Sequence, residues 1–127
     1  MPIMRGVIDH VGFEVSDIAR SAAFYDAVFF ALGGRRIHNS ARAIAYGTVA
    51  PSLWIVSRGR TPAPGYGHIA LEASGRAAVN AAHRAGLANG GADDGRPGDR
   101  PNYGSRYYAC YLLDPDGLRV EIASGTR

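Results

Sequence analysis

Three side chains of this chain have the types and placement to hold one metal ion: His10, His68 and Glu121. The two histidines open a repeated segment. His10-Val11-Gly12-Phe13-Glu14-Val15-Ser16 returns as His68-Ile69-Ala70-Leu71-Glu72-Ala73-Ser74, with His, Glu and Ser identical and small or apolar residues elsewhere. A duplicated unit that packs against its twin brings equivalent positions together, so two imidazoles far apart in sequence become candidates for one site. Glu121 adds a carboxylate from the last strand-like run, where Arg119, Glu121 and Ala123 share one face and Leu118, Val120 and Ile122 the other. Two imidazoles and one carboxylate leave coordination positions open for water, substrate or oxygen and suit a divalent ion such as Fe, Mn, Zn or Ni. The plainer reading makes the histidines hydrogen-bonded strand residues left by duplication and Glu121 a solvated side chain. It accounts for each residue singly but not for all three at repeat-related places.

The elements that must position these groups repeat as well. Val7 to Val15 alternates like a strand, with Ile8, His10, Gly12 and Glu14 on one face and Val7, Val11, Phe13 and Val15 on a core face. Ser16-Asp17 offers an N-cap to a helix from Ile18 to Leu32, which Gly33-Gly34 stops. Arg35 to His38, Arg42 to Gly47 and Ser52 to Ser57 read as three short strands. The second unit repeats this with a strand from Gly67 to Ala73, a helix from Arg76 to Ala88 before Gly90-Gly91, and strands from Tyr107 to Leu113 and Leu118 to Ala123. Gly91 to Arg106 is polar and rich in Gly, Asp, Arg and Pro, and is expected to form a long loop that closes over the site. Asp114-Pro115-Asp116-Gly117 is a tight turn before the last strand. The expected fold class is α+β: two tandem βαβββ modules, at about 5–58 and 67–124 with a linker at about 59–66, in one domain spanning 1–127.

Composition narrows the function. The chain has 127 residues, 20% of them charged, and a formal net charge of +3 carried by arginines spread from Arg5 to Arg127. Without a dense basic cluster, nucleic-acid binding gains no support. No apolar stretch is long enough to span a bilayer and no signal peptide is evident, so a cytoplasmic location is expected, with no membrane partner. The chain contains no lysine, which excludes Schiff-base chemistry. Cys110 is the one cysteine; within an apolar strand it reads as a buried, inert thiol.

The segments Ile8-Asp9-His10-Val11, Ser16-Asp17 through Ala23-Phe24-Tyr25, Gly67-His68-Ile69-Ala70 and Tyr111-Leu112-Leu113-Asp114-Pro115-Asp116-Gly117-Leu118-Arg119-Val120-Glu121 resemble the vicinal oxygen chelate superfamily of glyoxalases, bleomycin resistance proteins, fosfomycin-resistance thiol transferases and extradiol dioxygenases. The resemblance covers nearly the whole chain. It implies two modules forming a cup-shaped mixed sheet around a divalent metal held by His10, His68 and Glu121, in a homodimer. It also implies a small substrate chelated through oxygen, with lyase, dioxygenase or thiol-transferase chemistry. Departures narrow this. Trp54 stands where glyoxalase I-like sites carry a second glutamate, and an indole cannot ligate. Gly12 falls where the thiol transferases carry a phosphonate-contacting threonine. Asn102-Tyr103-Gly104 occupies the place of an upstream histidine of the dioxygenases; His38 and His83 are the other histidines that could substitute for it. On this reading Tyr111 is the candidate catalytic residue, and Trp54, Arg106, Tyr107 and Arg119 are candidate substrate contacts. The competing function is a metal-free protein of the bleomycin-resistance type that binds and sequesters a small antibiotic.

Overall fold

The computed structural model describes residues 6–125; the expected module start near Arg5 lies outside them. In chain order the elements are β1 (Val11–Val15), α1 (Ile18–Ala31), β2 (Arg35–Asn39), β3 (Ala43–Gly47), β4 (Pro51–Ser57), β5 (His68–Glu72), α2 (Arg76–Ala88), β6 (Ala92–Asp99), β7 (Tyr108–Leu113) and β8 (Arg119–Ser124). They build two four-stranded mixed sheets, ordered β1-β4-β3-β2 and β5-β8-β7-β6. In each sheet the first strand runs parallel to the last and the other pairs are antiparallel. This is the βαβββ module, made twice.

The helices show why the repeat carries a double glycine. α1 starts at Asp17, whose carboxylate accepts the Arg20 amide at 3.0 Å. It ends with Gly33 at φ 84° and the Gly34 amide bonded to the Phe29 carbonyl at 2.7 Å. α2 ends in the same way, with Gly90 at φ 97° and the Gly91 amide bonded to the Gly86 carbonyl at 2.9 Å. The first glycine of each pair supplies the left-handed turn that closes a helix. Packing demands the second: a Cβ on Gly34 would stand 2.9 Å from the Phe29 ring, and one on Gly91 would stand 2.5 Å from the Phe24 ring.

α1 and α2 pack on one another, so the helix-covered sides of both sheets share one core. Phe24, Tyr25 and Val28 from α1 meet Val79 and Ala82 from α2 and Leu53, Ile55, Leu112 and Ile122 from the strands. Each such aliphatic side chain, when fully buried, stabilises the fold by roughly 1.5–3 kcal/mol. Cys110 belongs to this core, where burial pushes its thiol up to about 12, consistent with an inert role.

The Asp114 turn does more than reverse the chain. Asp114 Oδ1 accepts the amides of Asp116 and Leu118 at 2.9 and 2.8 Å, and Oδ2 accepts the Tyr25 hydroxyl from α1 at 2.6 Å. Asp116 in turn accepts the amide and hydroxyl of Ser16. The turn therefore clamps the second module to the start of the first.

Two expectations need correction. The first strand begins at Val11 rather than Val7, and Val7 is fully exposed at 104%, because β4 offers register partners only from Leu53 onward, opposite Val11. Residues 91–106 are not one long loop: Ala92–Asp99 is the edge strand β6, paired with β7, and only the stretch between Asp99 and Tyr108 connects the two strands. An edge strand tolerates Pro97 and the register shifts around Gly95 because one of its sides needs no partner. Its exposed polar residues hide the strand from a hydrophobic pattern. Among the described residues no helix is long and apolar enough to cross a membrane.

Candidate metal centre

The core occupies one face of each sheet, and strand alternation sends the chemistry to the other. In the second sheet β8 places Glu121 between Ala70 of β5 and Tyr111 of β7, and Arg119 opposite His68. Val120 and Ile122 point the other way and are fully buried. Glu121 is not solvated: it is 4% exposed. Its Oε1 lies 3.1 Å from His68 Nε2, and its Oε2 accepts the Tyr107 hydroxyl at 2.6 Å. Among the described residues no arginine pairs with it, since the neighbouring Arg119 is tied to Asp94 at 2.8 Å.

This pair fits a metal ion. Two ligands held side by side on one ion, each at about 2.0–2.3 Å, stand about 3 Å from one another, and the two donor atoms here are 3.1 Å apart. An imidazole nitrogen and a carboxylate oxygen suit the divalent ions named above. His10 is placed differently. It precedes β1, is half exposed, and turns Nδ1 to Asp9 Oδ1 at 2.8 Å. That contact leaves Nε2 as the nitrogen for a further partner, as in carboxylate-oriented histidine ligands. His10 and His68 line one cavity of about 440 Å³ with Val11, Phe13, Ser52 and Ile69. Among the described residues no three His, Cys, Asp or Glu side chains converge on one point. The chain thus joins two of the three candidate ligands directly and holds the third on a shared cavity wall.

Around the pair, Tyr111 sets its ring edge-on to His68 at 6.3 Å, and the Arg119 guanidinium lies 3.9 Å over that ring. Burial and the Glu121 carboxylate raise the Tyr111 phenol. The hydrogen bond to Glu121, with burial, pushes the Tyr107 phenol up to about 12, so it stays a neutral donor at ordinary pH. Trp54 occupies the place in the first sheet that Glu121 holds in the second: it lies between Gly12 and Ala45 as Glu121 lies between Ala70 and Tyr111. Its ring meets His10 at 6.4 Å and His38 at 5.1 Å. Arg106 stands apart, exposed on the turn before β7 without a hydrogen bond or ion pair among the described residues. His83 is also remote from the pair; it is buried in α2 and bonded to Asp93 at 2.9 Å.

Sequence reasoning missed Asp94, Asp9 and the link from Tyr107 to Glu121. Asp94 was hidden because β6 did not look like a strand. Asp9 stands beside His10 in sequence, and that adjacency was the available signal. The Tyr107 link needs the strand register, which no local pattern carries.

The family model for the Glyoxalase/Bleomycin resistance protein/Dioxygenase superfamily matches residues 7–122. Among solved structures, a glyoxalase/bleomycin resistance protein from Albidiferax ferrireducens is 30% identical with a TM-score of 0.81, covering 94% of this chain and 98% of its own. A lactoylglutathione lyase from Agrobacterium tumefaciens (20% identity, TM-score 0.67, 96% of each chain) shares the fold. So does a fosfomycin resistance protein, FosX, from Mesorhizobium loti (20% identity, TM-score 0.70, 98% of this chain and 95% of its own). Comparison with curated proteins gives no match. With a family match over most of its length and a relative at 30% identity along nearly the whole chain, this chain belongs to the glyoxalase/bleomycin resistance protein/dioxygenase superfamily.

Proposed function

We propose that the chain is a metal-dependent enzyme of the glyoxalase or dioxygenase kind, acting on a small substrate that presents oxygen atoms to a divalent ion held by His10, His68 and Glu121. The observation that carries this reading is the 3.1 Å approach of His68 Nε2 to Glu121 Oε1 on the sheet face opposite the core. When bound, the ion supplies Lewis-acid stabilisation of negative charge developing on substrate oxygen. The chain's own groups do the rest. Asp9 orients the His10 imidazole. The Tyr111 hydroxyl stands on the same face as the ligands, where it orients the substrate or moves a proton. Arg119, fixed by Asp94, keeps part of its guanidinium for an anionic substrate group. Trp54 gives the first module an apolar wall that excludes water.

The reading includes a homodimer. The segment that carries His10 also exposes Val7 and Ile8 at 104% and 74%, and Val49 lies on the same cavity at 86%. A second copy covering these side chains would bury apolar surface beside the third ligand. Sedimentation at micromolar concentration should give the mass of two chains.

The functional test is turnover. Protein stripped with a chelator and reloaded separately with Fe(II), Mn(II), Zn(II) or Ni(II) is assayed for isomerisation of thiol–aldehyde adducts, opening of epoxides by thiol or water, and cleavage of catechols with oxygen. Activity in one class that depends on the ion and vanishes in His68→Ala supports the proposal. Tight binding of a small molecule by metal-free protein, with no turnover in any class, would instead establish a sequestering protein.

A further inference from the structure

We infer that Tyr107 is a positioning residue that reserves one oxygen of Glu121, so that the carboxylate offers a metal only the other; the inference rests on the metal-binding reading above. The two oxygens already have separate duties: Oε1 faces His68 Nε2 at 3.1 Å, and Oε2 accepts the Tyr107 hydroxyl at 2.6 Å. A short hydrogen bond from a neutral donor to a buried carboxylate is charge-assisted and directional. It fixes the rotation of the carboxylate about its own axis. A carboxylate free to turn can present both oxygens and fill two coordination positions; one pinned at Oε2 fills a single position and leaves the other for substrate.

A second, independent observation is where Tyr107 comes from. In the first module β2 ends at Asn39 and β3 begins at Ala43, whereas in the second β6 ends at Asp99 and β7 begins at Tyr108. The longer hairpin belongs to the module that holds the carboxylate. Ala43 and Ala109 face Val56 and Ala123 at equivalent places of the two sheets, which sets Tyr107 against Ala41. The added residues fold into turns of their own, with the Arg100 amide bonded to the Tyr107 carbonyl at 2.8 Å and the Tyr107 amide to the Gly104 carbonyl at 3.3 Å. Tyr103 braces the phenol edge-on at 5.5 Å. The extension thus anchors one side chain whose hydroxyl ends on Glu121. Simple core packing does not account for that endpoint.

Co(II) is the probe, because its visible absorption reports coordination number and ligand set. Wild type, Tyr107→Phe, Tyr103→Phe and Glu121→Ala are titrated as full chains, with thermal melting to confirm folding. Tyr107→Phe should bind Co(II) about 10-fold more weakly, in the range usual for removing a ligand's supporting hydrogen bond, with shifted and weaker visible bands as the carboxylate takes a second position. Tyr103→Phe should match wild type. Wild-type affinity and spectrum in Tyr107→Phe would overturn the assignment while leaving the metal site intact. No Co(II) uptake by wild type, or full uptake by Glu121→Ala, would instead remove the metal reading and this inference with it. Should Tyr107→Phe fail to fold, infrared spectra of Zn(II)-loaded wild type with ¹³C-labelled glutamate decide. A wide gap between the carboxylate stretches means one-oxygen binding and is expected; a narrow gap means both oxygens bind and overturns the inference.

Discussion

The two modules share a backbone and differ in what they hang on it. Across the open face of the first sheet one row reads Gly12, Trp54, Ala45, His38; the equivalent row of the second reads Ala70, Glu121, Tyr111, Gly95. The central position is an indole in one and a carboxylate in the other, and the phenol beside Glu121 is matched by a methyl group. A similar exchange occurs between helix and edge strand. Asp26 of α1 binds Arg36 of β2 at 2.8 Å, while His83 of α2 binds Asp93 of β6 at 2.9 Å, with the acidic and basic partners swapped. Duplication therefore preserved register and a helix-to-strand polar pair, but not the identity of the polar groups. The second sheet carries a carboxylate and a phenol at its centre, and the first an indole flanked by His10 and His38.

The largest effect that could break this contrast lies at its centre. Glu121→Ala should lower metal affinity by 10²-fold or more, because the remaining ligands are imidazoles alone, whereas Trp54→Ala, at the matching place, should leave metal content unchanged; elemental analysis after dialysis reads both. Next, Tyr111→Phe should reduce turnover about 10²-fold at unchanged metal content if its hydroxyl acts on developing charge. Loss of metal in this variant would place Tyr111 among the ligands instead.

Stability changes sharpen the same comparison. Gly34→Ala and Gly91→Ala should each cost about 1–3 kcal/mol in urea unfolding, since a Cβ there meets a packed aromatic ring. Gly33→Ala should cost about 1 kcal/mol, for the left-handed backbone alone. Equal small losses at all three would mean that the double glycine is only a helix stop.

The smallest effect is a pH dependence. Burial raises the Asp26 carboxyl, but hydrogen bonds from Arg36 and Tyr46 outweigh it and hold the group below its ordinary value; the His83 hydrogen bond, aided by the Gly95 amide, does the same for Asp93. A carboxylate lowered in the folded state contributes stability that is fully present above its ordinary value and lost as pH falls through the lowered one. The melting-temperature deficits of Asp26→Asn and Asp93→Asn should accordingly be greatest near neutrality and shrink in strong acid. Deficits that stay constant with pH would assign both pairs to packing.

Much of this was legible in the sequence because it is written in local chemistry. The helix from Arg76 to Ala88 has the bounds expected of it, the double glycines stop both helices, and alternation along β8 separates Glu121 from Val120 and Ile122. What stayed hidden depends on pairing. β6 is polar, holds Pro97 and shifts register, so only its partner β7 defines it. With β6 went Asp94 and the anchoring of Arg119. Val7 continues the two-residue alternation of the first strand, yet β4 has no register partner for it. The even spacing of Tyr107 with Ala109 and Tyr111 puts it on the face of the site, but only the register of β7 on β8 brings its hydroxyl to Glu121.

The central claim is that His68 and Glu121, with His10, form a metal site. Its most direct test is elemental analysis of protein purified without chelator, dialysed against metal-free buffer and compared with Glu121→Ala and His68→Ala. The account predicts a divalent ion at about one per chain in wild type and loss of that ion from both variants while they remain folded. Wild type free of metal even after incubation with Fe(II), Mn(II), Zn(II) and Ni(II), or variants that retain the ion as well as wild type does, would contradict it.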